Sequence, residues 1–548
     1  MTEGPVTPAC IPASTRRTLL EKYLPAQSTL QQEMAQGIMT GDSITVHSYK
    51  NIPFSDKGLW QSGDHTNRTW QFSLHSFAPL DCLMATGNID HATALVQDWI
   101  ALHGIKPSGK LRIFPWHDHA TALRLDRLSL LELSTGCGRF QNMAQTHAEL
   151  LLRDDFYSKN TNHGYDQALS LILAAYTFAP HLETGHWMQT GLDRLGDEIA
   201  FAFNPEGVHV ENSPSYHVGM VANLVRGRLV LDRTGQSLKI DFDALLDRAL
   251  LFTAWIIGPD RTVAMFGDST RRGGSPPAEL AHLPHYQSAL YACTAGTQGS
   301  PPEGQFAVYE NAGYGFYRAS WDAKGWKDHV YLTMKCGFLS SYHRQDDDLG
   351  ILLDGFGEAW LIDSGLYNHN QKDPKRQYMR SALAHNLPFI QGSSVSRSLP
   401  PAHLRPTLGA LTQPDGTVCG FTATTRMYKG ATLTRRIEVQ SPQAFQISDS
   451  FRMTSPNGQK FCLFHVPANK TVRTSPHFAR IVGKDMELII RVGAGTVRGC
   501  RVYRGDHPQF PSMTSNAINH IEDTQVIVFG PVESDTVRFT LSFAQRPV

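Results

Sequence analysis

The residues best suited to acid–base chemistry stand in four short polar segments, each beside a stretch with helical or strand periodicity. The segments are TNHGYDQALS at 161–170, EGVHVENSPSYHVGM at 206–220, SSYHRQDDDLGILLDGFGEAWLIDSGLYNHN at 340–370 and RQYMRSALAHNLPFIQG at 376–392. Histidine is the side chain that most often transfers protons near neutral pH, and the chain holds 24 of them. Each segment is a weak signal by itself, so the hypothesis of a proton-transfer site depends on their joint occurrence.

The first two segments each begin a predicted helix. Asn162 and His163 precede an apolar helical run, and the free N–H groups at a helix N-terminus favour an anion. Asn162 is also a plausible N-cap, which is a purely structural interpretation. In the second segment, Glu211, Tyr216 and His217 lie around the start of another helix. A tyrosine can donate or accept a proton where neighbouring charges lower its pKa, although an aromatic core position is its commoner fate.

In the third segment, His343, Arg344 and Gln345 precede three aspartates, residues 346–348, and a pair of predicted strands that ends at Asp363. Three adjacent carboxylates could bind a hard cation, but side chains alternate along a strand, so at most two of them can converge. A solvated acidic turn is the alternative for Asp346 and Asp348.

The fourth segment combines basic residues with a His–Asn pair. Arg376 and Arg380 could grip a carboxylate, since the guanidinium group binds carboxylates through paired hydrogen bonds. Tyr378, His385 and Asn386 accompany them, where a helical or loop segment rejoins a strand.

The elements that must position these segments change character along the chain. From Arg16 to about residue 258 the apolar residues recur at three- and four-residue steps, which predicts at least eight helices arranged as antiparallel hairpins. The main helical stretches are 68–87, 90–103, 119–135, 139–156, 164–178, 184–203, 215–232 and 241–257. Hardly a strand is expected among them.

A connection rich in Gly, Pro and Ser follows, and beyond it the apolar period becomes two. The predicted strands are 306–310, 314–320, 329–336, 349–356, 358–365, 433–441, 445–453, 460–466, 486–492, 525–530 and 536–543. Short strands with frequent turns favour an antiparallel β-sandwich. The predicted domains are therefore a helical domain over 1–260, a connecting segment over 261–304 and a sandwich over 305–548.

Composition narrows the class of partner. Lys plus Arg and Asp plus Glu number 50 each, so the basic excess typical of a nucleic-acid-binding protein is missing. A local basic cleft on a neutral protein can still bind an acidic glycan. The eight cysteines form no CxxC pair, which favours mostly buried free thiols. The sequence contains no run of about 18 apolar residues, so no transmembrane helix is predicted, and no secretory signal is visible.

The order NHGYD, ENSPSYH, YHRQDDDLGILLDGFGEAWLIDSG and YMRSALAHN, with PWHDHATALR at 115–124 and MFGDS at 265–269, resembles the heparinase II/III-like polysaccharide lyases. This group includes alginate and exopolysaccharide lyases of similar architecture, and the matches run from about residue 65 to 395. The resemblance implies an α+β multidomain fold, with an N-terminal (α/α) toroid followed by a C-terminal antiparallel β-sandwich. It also implies that an acidic polysaccharide binds in a cleft.

The resemblance further implies cleavage of a uronic-acid-containing polysaccharide by β-elimination. Asn162 and His163 would neutralise the uronate carboxylate, His343 would remove the C-5 proton, and Tyr216 would protonate the leaving glycosidic oxygen or act as both acid and base. The candidate substrate contacts are Arg344, Arg380, Glu211, Trp116 and His217. The family's usual place, the periplasm or cell envelope, is the expected compartment, and the lack of a visible signal peptide makes the cytoplasm the alternative.

The sequence departs from the family pattern at one of the three zinc-ligand positions. Family members often read HxHxD in the third segment, and the second His binds zinc together with a downstream Asp and the His of the HN pair. Here that residue is Gln345, whereas Asp363 and His385 stand at the other two ligand positions. Glutamine is a poor zinc ligand beside histidine. The sequence therefore establishes no cofactor, and it supports a structural zinc only weakly.

Three alternatives stay open at the sequence level, as does the oligomeric state. The first is a glycoside hydrolase on the same toroid that uses two carboxylates, such as Glu211 and Asp347. The second is a non-catalytic glycan-binding or exopolysaccharide-biosynthesis protein, in which Trp70, Trp116 and Tyr216 stack on sugars. The third is a family member that keeps the fold without the activity.

Overall fold

The computed structural model of the protein describes residues 11–47, 49–107, 114–454 and 458–546. The N-terminal half is helical, and its helices are α1 (Ala13–Tyr23), α2 (Thr29–Met39), α3 (Arg68–His75), α4 (Leu80–Ala85), α5 (Ile89–His103), α6 (Asp118–Thr135), α7 (Gln141–Leu152), α8 (Asn162–Phe178), α9 (Gly185–Ala202), α10 (Pro214–Thr234) and α11 (Phe242–Ile256). Two shorter helices follow, α12 (Tyr286–Cys293) and α13 (Pro374–Met379). One hairpin, β1 (Ser43–Val46) and β2 (Tyr49–Pro53), interrupts the helices.

Helix α8 shows why the helical half forms. Its sequence is rich in Ala and Leu, which have high helix propensity, and nearly all of its side chains are buried. It packs against α6 and α9. Thr161 caps its first turn by accepting a hydrogen bond from the Gly164 N–H at 3.2 Å. Helix α6 ends at Gly136, whose φ of +63° is the left-handed conformation that favours glycine.

The C-terminal half is built from antiparallel strands. They are β3 (Phe306–Tyr309), β4 (Tyr314–Arg318), β5 (Tyr331–Lys335), β6 (Gly350–Gly355), β7 (Glu358–Leu361), β8 (Pro388–Ile390), β9 (Thr407–Thr412), β10 (Val418–Thr425), β11 (Ala431–Ser441), β12 (Ala444–Met453), β13 (Lys460–Val466), β14 (Thr471–Ser475), β15 (Phe478–Val482), β16 (Met486–Ala494), β17 (Cys500–Arg504), β18 (Met513–Thr514), β19 (Glu522–Asp523), β20 (Gln525–Val532) and β21 (Thr536–Gln545).

These strands form three larger sheets and one two-stranded ribbon. The sheets have the orders β3-β4-β5-β6-β7, β14-β15-β16-β21-β12-β11-β10-β9 and β17-β20-β13-β8, and the ribbon pairs β18 with β19. In the eight-stranded sheet Phe445 pairs with Leu541 and Ile447 with Phe539, so alternate residues of β12 and β21 enter one apolar core. Burial of such cross-strand pairs is what fixes the register.

The chain divides into two compact units. The first comprises Met1–Ala202 and Leu224–Ile240, and the second comprises Phe203–Asn223 and Asp241–Val548. Helix α10 therefore contributes residues to both, and the ENSPSYH segment belongs to the unit that carries the sheets. The sequence-based domain bounds at 260 and 305 stay a prediction.

The fold class is confirmed: a helical N-terminal region is followed by antiparallel β-sheets. The predicted helices and strands are present, except that the stretch 68–87 is divided into α3 and α4, and the expectation of hardly any strand in the first half overlooked the β1–β2 hairpin. The seven described cysteines are free, and all except Cys137 are buried. Within the described ranges, no helix combines the length and apolar character needed to cross a bilayer.

Candidate active site

The central feature of the second unit is an aromatic pair formed by Tyr216 and His343. Tyr216 lies in the first turn of α10, and His343 lies in the loop between β5 and β6. Their rings stack with centroids 3.9 Å apart and planes 25° apart. His343 has a φ of +52°, a conformation that a non-glycine residue keeps only where its surroundings hold it there. The structure thus brings together two of the residues predicted to transfer protons.

Hydrogen bonds explain how these distant segments meet. The Asn212 side-chain amide donates to the backbone oxygens of Ser340 at 2.7 Å and Tyr342 at 3.0 Å. The adjacent Ser213 hydroxyl donates to the backbone oxygen of Asp268 at 3.1 Å. The polar residues of ENSPSYH therefore hold the loop before His343 and the MFGDS segment in place.

The Asp268 carboxylate is a hydrogen-bond partner of the His343 ring. His343 Nδ1 is 3.0 Å from Asp268 Oδ2, and Arg376 Nη2 donates to the same oxygen at 2.5 Å. The Gln345 amide nitrogen donates to Asp268 Oδ1 at 2.8 Å. Burial alone would raise the pKa of Asp268, but the hydrogen bonds from His343 and Arg376 hold that pKa at about 2. The carboxylate is therefore ionised at neutral pH.

The other face of the site carries a second carboxylate. Glu211 Oε2 lies 3.5 Å from His343 Nε2. Burial raises the pKa of the Tyr216 phenol well above its usual range, and the charges of Asp268 and Glu211 add to that effect. Tyr216 is therefore a neutral phenol that holds its proton, and the expectation that neighbouring charges lower its pKa is wrong.

The first unit holds a separate polar cluster at the start of α8. Thr161 is the N-cap, so the interpretation of Asn162 as the cap is wrong, and Asn162 and His163 occupy the first helical turn. His163 Nδ1 lies 3.5 Å from Asp118 Oδ2, and its ring stacks on His119 with centroids 4.1 Å apart. The His163 side chain is 35% exposed.

Charged and neutral groups surround His163 and its neighbour His119. His119 Nε2 lies 2.8 Å from Asp166 Oδ2, and Arg226 pairs with the same carboxylate. Burial lowers the pKa of His119 and outweighs the opposing effect of Asp166, so the ring is neutral. Burial raises the pKa of Asp118, but hydrogen bonds from His117, His163 and Ser158 leave it well below its usual range. His163 thus has a neutral ring on one side and a carboxylate on another.

Two of the predicted substrate contacts are deep in the second unit. Arg344 is fully buried, donates to Asp348 at 2.5 Å and lies 4.7 Å from the centre of the Phe338 ring. His217 Nε2 lies 3.1 Å from the Ala249 oxygen, and burial lowers the pKa of its ring to about 3. Both side chains form their contacts inside the core, so neither position supports a contact with substrate.

Of the other three predicted contacts, Glu211 is buried beside His343, whereas Trp116 and Arg380 differ in exposure. Trp116 is buried in the first unit, where it packs edge-on against Trp99 and under the Arg124 guanidinium. Arg380 is half-buried, its side chain bonds to Gln371, and burial lowers its pKa. Arg380 is therefore better placed than Trp116 to meet a ligand.

The three aspartates at 346–348 are internal, and the solvated-turn interpretation of Asp346 and Asp348 is wrong. Each carboxylate already has a basic partner within the second unit. The pairs are Asp346 with Arg397 at 2.7 Å, Asp347 with Lys335 at 3.1 Å and Asp348 with Arg344 at 2.5 Å. Each carboxylate is thus paired with a cation, two of which, Lys335 and Arg344, are fully buried, and this leaves the aspartates poorly suited to hold a metal.

The residues at the predicted zinc position do not fit a zinc ion. His385 Nδ1 lies 2.9 and 3.0 Å from the two carboxylate oxygens of Asp363, so these groups bond to each other. Gln345 directs its amide nitrogen toward Asp268 and the Gly365 oxygen. The Gln345 amide oxygen and His385 Nε2 are buried without a hydrogen-bond partner among the described residues, but an amide oxygen is a poor zinc ligand. Among the described residues, no group of three or more His, Cys, Asp or Glu side chains is arranged to hold a metal.

Sequence reasoning missed two residues beside His343. Asp268 was noted only within MFGDS, and its role depends on contacts that no periodicity encodes. His369 lies with its ring centroid 6.1 Å from that of His343, and burial lowers its pKa. The string YNHN at 367–370 was the only signal that pointed to it.

Two family profiles match the chain. One, described as Heparinase II/III N-terminus, matches residues 137–277, and the other, Heparinase II/III-like, C-terminal, matches residues 301–519. Together they span well over half of the sequence. The chain belongs to the heparinase II/III-like family. The resemblance drawn from the four motifs is thereby confirmed.

Curated relatives of this heparinase II/III-like protein are heparin-sulfate lyases. The enzyme of Bacteroides thetaiotaomicron is 24% identical over 343 residues, which cover 55% of this chain and 49% of that protein. The enzyme of Pedobacter heparinus is 24% identical over 218 residues, which cover 38% of this chain and 32% of that protein. The matched region is thus half or less of each relative's length.

Solved structures show the same fold. A heparinase III crystal structure aligns with a TM-score of 0.76 at 18% identity, covering 97% of this chain and 88% of that one. The heparan sulfate lyase HepC from Pedobacter heparinus aligns with a TM-score of 0.70 at 17% identity and the same coverage. The heparinase II/III-like architecture is therefore retained at low sequence identity.

Proposed function

We propose that this protein is a polysaccharide lyase that cleaves a uronic-acid-containing polysaccharide by β-elimination. The observation that carries the proposal is the Tyr216–His343 pair: a neutral phenol stacked at 3.9 Å on an imidazole whose Nδ1 faces an ionised carboxylate. Such a pair offers a proton donor and a proton acceptor side by side, which elimination requires.

In the proposed reaction, His343 Nε2 takes the proton from C-5 of the uronate. The electron pair of that C–H bond forms the C-4–C-5 double bond, and the bond from C-4 to the glycosidic oxygen breaks. Tyr216 gives its phenolic proton to the departing oxygen. Proton exchange with His343 or water then restores both residues, so no net proton is gained or lost by the enzyme.

We assign Asn162 and His163 to the substrate carboxylate. Removal of the C-5 proton places enolate charge on that group, and hydrogen-bond donors aimed at it typically contribute about 3–4 kcal/mol each. The first turn of α8 and the partly exposed His163 imidazole are donors of that kind. This role remains a proposal and is tested by substitution of each residue.

The hydrolase alternative has less support. It needs two carboxyl groups roughly 5–10 Å apart on either side of the scissile bond. Asp347, one of the two carboxylates considered for it, is fully buried and bonded to Lys335 Nζ at 3.1 Å and to the Gly267 N–H at 3.0 Å. It is therefore engaged in the interior and is not available to a substrate.

The relatives named heparin-sulfate lyase make heparan-type polysaccharides the first substrates to test. The purified protein should be screened against heparan sulfate, heparin, chondroitin, hyaluronan and alginate, with product read by the ultraviolet absorbance of the unsaturated uronate. We expect the protein to cleave one of these substrate classes by β-elimination. The periplasm or cell envelope stays the predicted compartment.

The screen needs two histidine variants as controls. His343→Ala should abolish the new absorbance, because it removes the proposed base. His285→Ala changes a more exposed histidine that pairs with Asp247, and it should leave the rate unchanged. New reducing ends without ultraviolet absorbance would instead indicate hydrolysis, and equal rates in both variants would refute the role of His343.

A further inference from the structure

We propose that Asp268 is the positioning residue that fixes the tautomer and orientation of His343, so that Nε2 is the atom that accepts the proton. This inference rests on the proposed lyase function and adds a residue that the reaction scheme does not contain. Asp268 would not touch the substrate. It would act through the imidazole, as a carboxylate behind a catalytic histidine does in many acid–base sites.

The tautomer follows from the contacts. An ionised carboxylate can only accept hydrogen bonds, and Asp268 Oδ2 lies 3.0 Å from His343 Nδ1. The nearer carboxylate favours the proton of a neutral imidazole on Nδ1, since Nε2 lies 3.5 Å from Glu211 Oε2, and this tautomer leaves the lone pair on Nε2. The opposite tautomer would place two lone pairs against each other at this distance.

The backbone fixes the same geometry. The Asp268 N–H donates to the His343 carbonyl oxygen at 3.1 Å, so the two residues are joined through main chain and side chain. Gly267, with a φ of +57°, allows this approach, because a Cβ there would lie 2.3 Å from the Asn212 oxygen and 3.0 Å from the His343 oxygen. The main chain therefore holds Asp268 and His343 next to each other.

The contact with His343 is more than a core ion pair needs. Arg376 and Gln345, both buried, already provide Asp268 with a counter-charge and an amide donor. Its third partner is different, since the His343 side chain is 22% exposed and lies at the edge of the interior. A carboxylate that served the core alone would have no reason to bond to a ring that reaches solvent.

The charges around the imidazole also suit a base. When Nε2 takes a proton, the imidazolium would lie between Asp268 at 3.0 Å and Glu211 at 3.5 Å. Both carboxylates would then stabilise the positive charge that develops during proton transfer. His369 and Arg376 are the nearby basic groups, and Arg376 is compensated by its own bond to Asp268.

The test is Asp268→Asn, which keeps the shape of the side chain but can donate to Nδ1 and so favours the other tautomer. We expect kcat on the substrate found by the screen to fall about 10²–10⁴-fold, with KM changed by less than about threefold. The second measurement uses ¹⁵N-histidine-labelled protein, with the His343 signal assigned by loss in His343→Gln. Wild type should show the proton on Nδ1, and Asp268→Asn should show it shifted toward Nε2.

The matched control is Asp247→Asn, which makes the same chemical change in another Asp–His pair. Asp247 Oδ2 lies 2.7 Å from His285 Nδ1, and kcat should stay at the wild-type value. If Asp268→Asn keeps wild-type kcat, or leaves the His343 nitrogen signals unchanged, the positioning role is overturned. A wild-type protein that makes no unsaturated product refutes the lyase proposal instead, and the tautomer measurement still reports on Asp268.

Asp268→Asn also leaves the Arg376 charge buried without its partner, which can destabilise the fold. If the variant does not fold, the double variant Asp268→Asn/Arg376→Met should be compared with Arg376→Met alone. The positioning role predicts that the double variant has at least a tenfold lower kcat at equal thermal stability. Equal kcat in the two would overturn it.

Discussion

Replacement of Tyr216 by Phe is the most direct test of the proposed chemistry, because it removes one hydroxyl and little else. The phenylalanine ring retains the shape that stacks on His343 at 3.9 Å. The hydroxyl itself is a neutral donor, since burial and two neighbouring carboxylates raise its pKa. The substitution therefore separates loss of the proton from loss of packing.

The expected magnitudes decide between a catalytic and a structural hydroxyl. A general acid contributes about 10²–10⁴-fold to the rate, which corresponds to about 3–5 kcal/mol of activation free energy. A hydroxyl that only makes one ordinary hydrogen bond contributes about 1 kcal/mol to the free energy of unfolding. We therefore expect Tyr216→Phe to lower kcat by at least 100-fold while the melting temperature moves by only a few degrees.

Initial rates by ultraviolet absorbance and thermal unfolding should be measured on the same preparations. Tyr428→Phe is the matched control, because the Tyr428 hydroxyl is buried and has no hydrogen-bond partner among the described residues. It should leave kcat unchanged. The second measurement uses a synthetic uronide with fluoride at C-4. Fluoride is a leaving group that needs no proton, so its departure does not depend on a general acid.

The fluoride substrate separates the two roles considered for Tyr216. If Tyr216 is only the acid, Tyr216→Phe should cleave the fluoride at close to the wild-type rate. If Tyr216 is also the base, both substrates should be slow. Retention of more than a tenth of wild-type kcat on the natural polysaccharide would refute the reasoning, as would a loss of stability large enough to explain the lower rate.

Three further predictions follow from buried groups. Arg344→Met should lower the free energy of unfolding by about 3–5 kcal/mol, because Asp348 loses its buried partner; urea denaturation measures this, and a raised KM at unchanged stability would contradict it. Dialysis against a chelator should leave activity unchanged, whereas a loss restored by zinc would contradict the conclusion that Asp363 and His385 do not hold a zinc ion. Burial raises the pKa of Asp126 to about 7, so the folded state binds its proton more tightly than the unfolded state and stability falls as pH rises from about 4 to 7. Asp126→Asn should remove on the order of 3 kcal/mol of that fall, as measured by urea denaturation at pH 5 and pH 8, and an unchanged pH dependence would show that Asp126 is not the cause.

Much of the fold was predictable because its signals are local. Helices such as α8 and α11 and strands such as β12 and β21 each carry their apolar period within a dozen or so residues. Two of the elements that the sequence did not predict have weak periods. Strand β14 is largely exposed and β8 has only three residues, so neither has an alternation long enough to recognise.

The candidate site was predictable in part. The motifs named Tyr216 and His343 without revealing that their rings stack. The same motifs made Arg344 a substrate contact, and the structure places it in the core, because the residue type that binds a carboxylate on a ligand binds one inside the protein equally well. Residue chemistry does not predict whether a guanidinium group lies at the surface or in the interior.

The sequence by itself determined the order of helices and sheets, the family and the residue types available for proton transfer, because propensity, periodicity and motif order are properties of neighbouring residues. Only the tertiary structure decided which of those residues act together. Asp268 and His343 are 75 positions apart, and Asp268 and Arg376 are 108 apart. Their convergence depends on hydrogen bonds from Asn212 and Ser213 that close long loops, and no local pattern specifies such contacts.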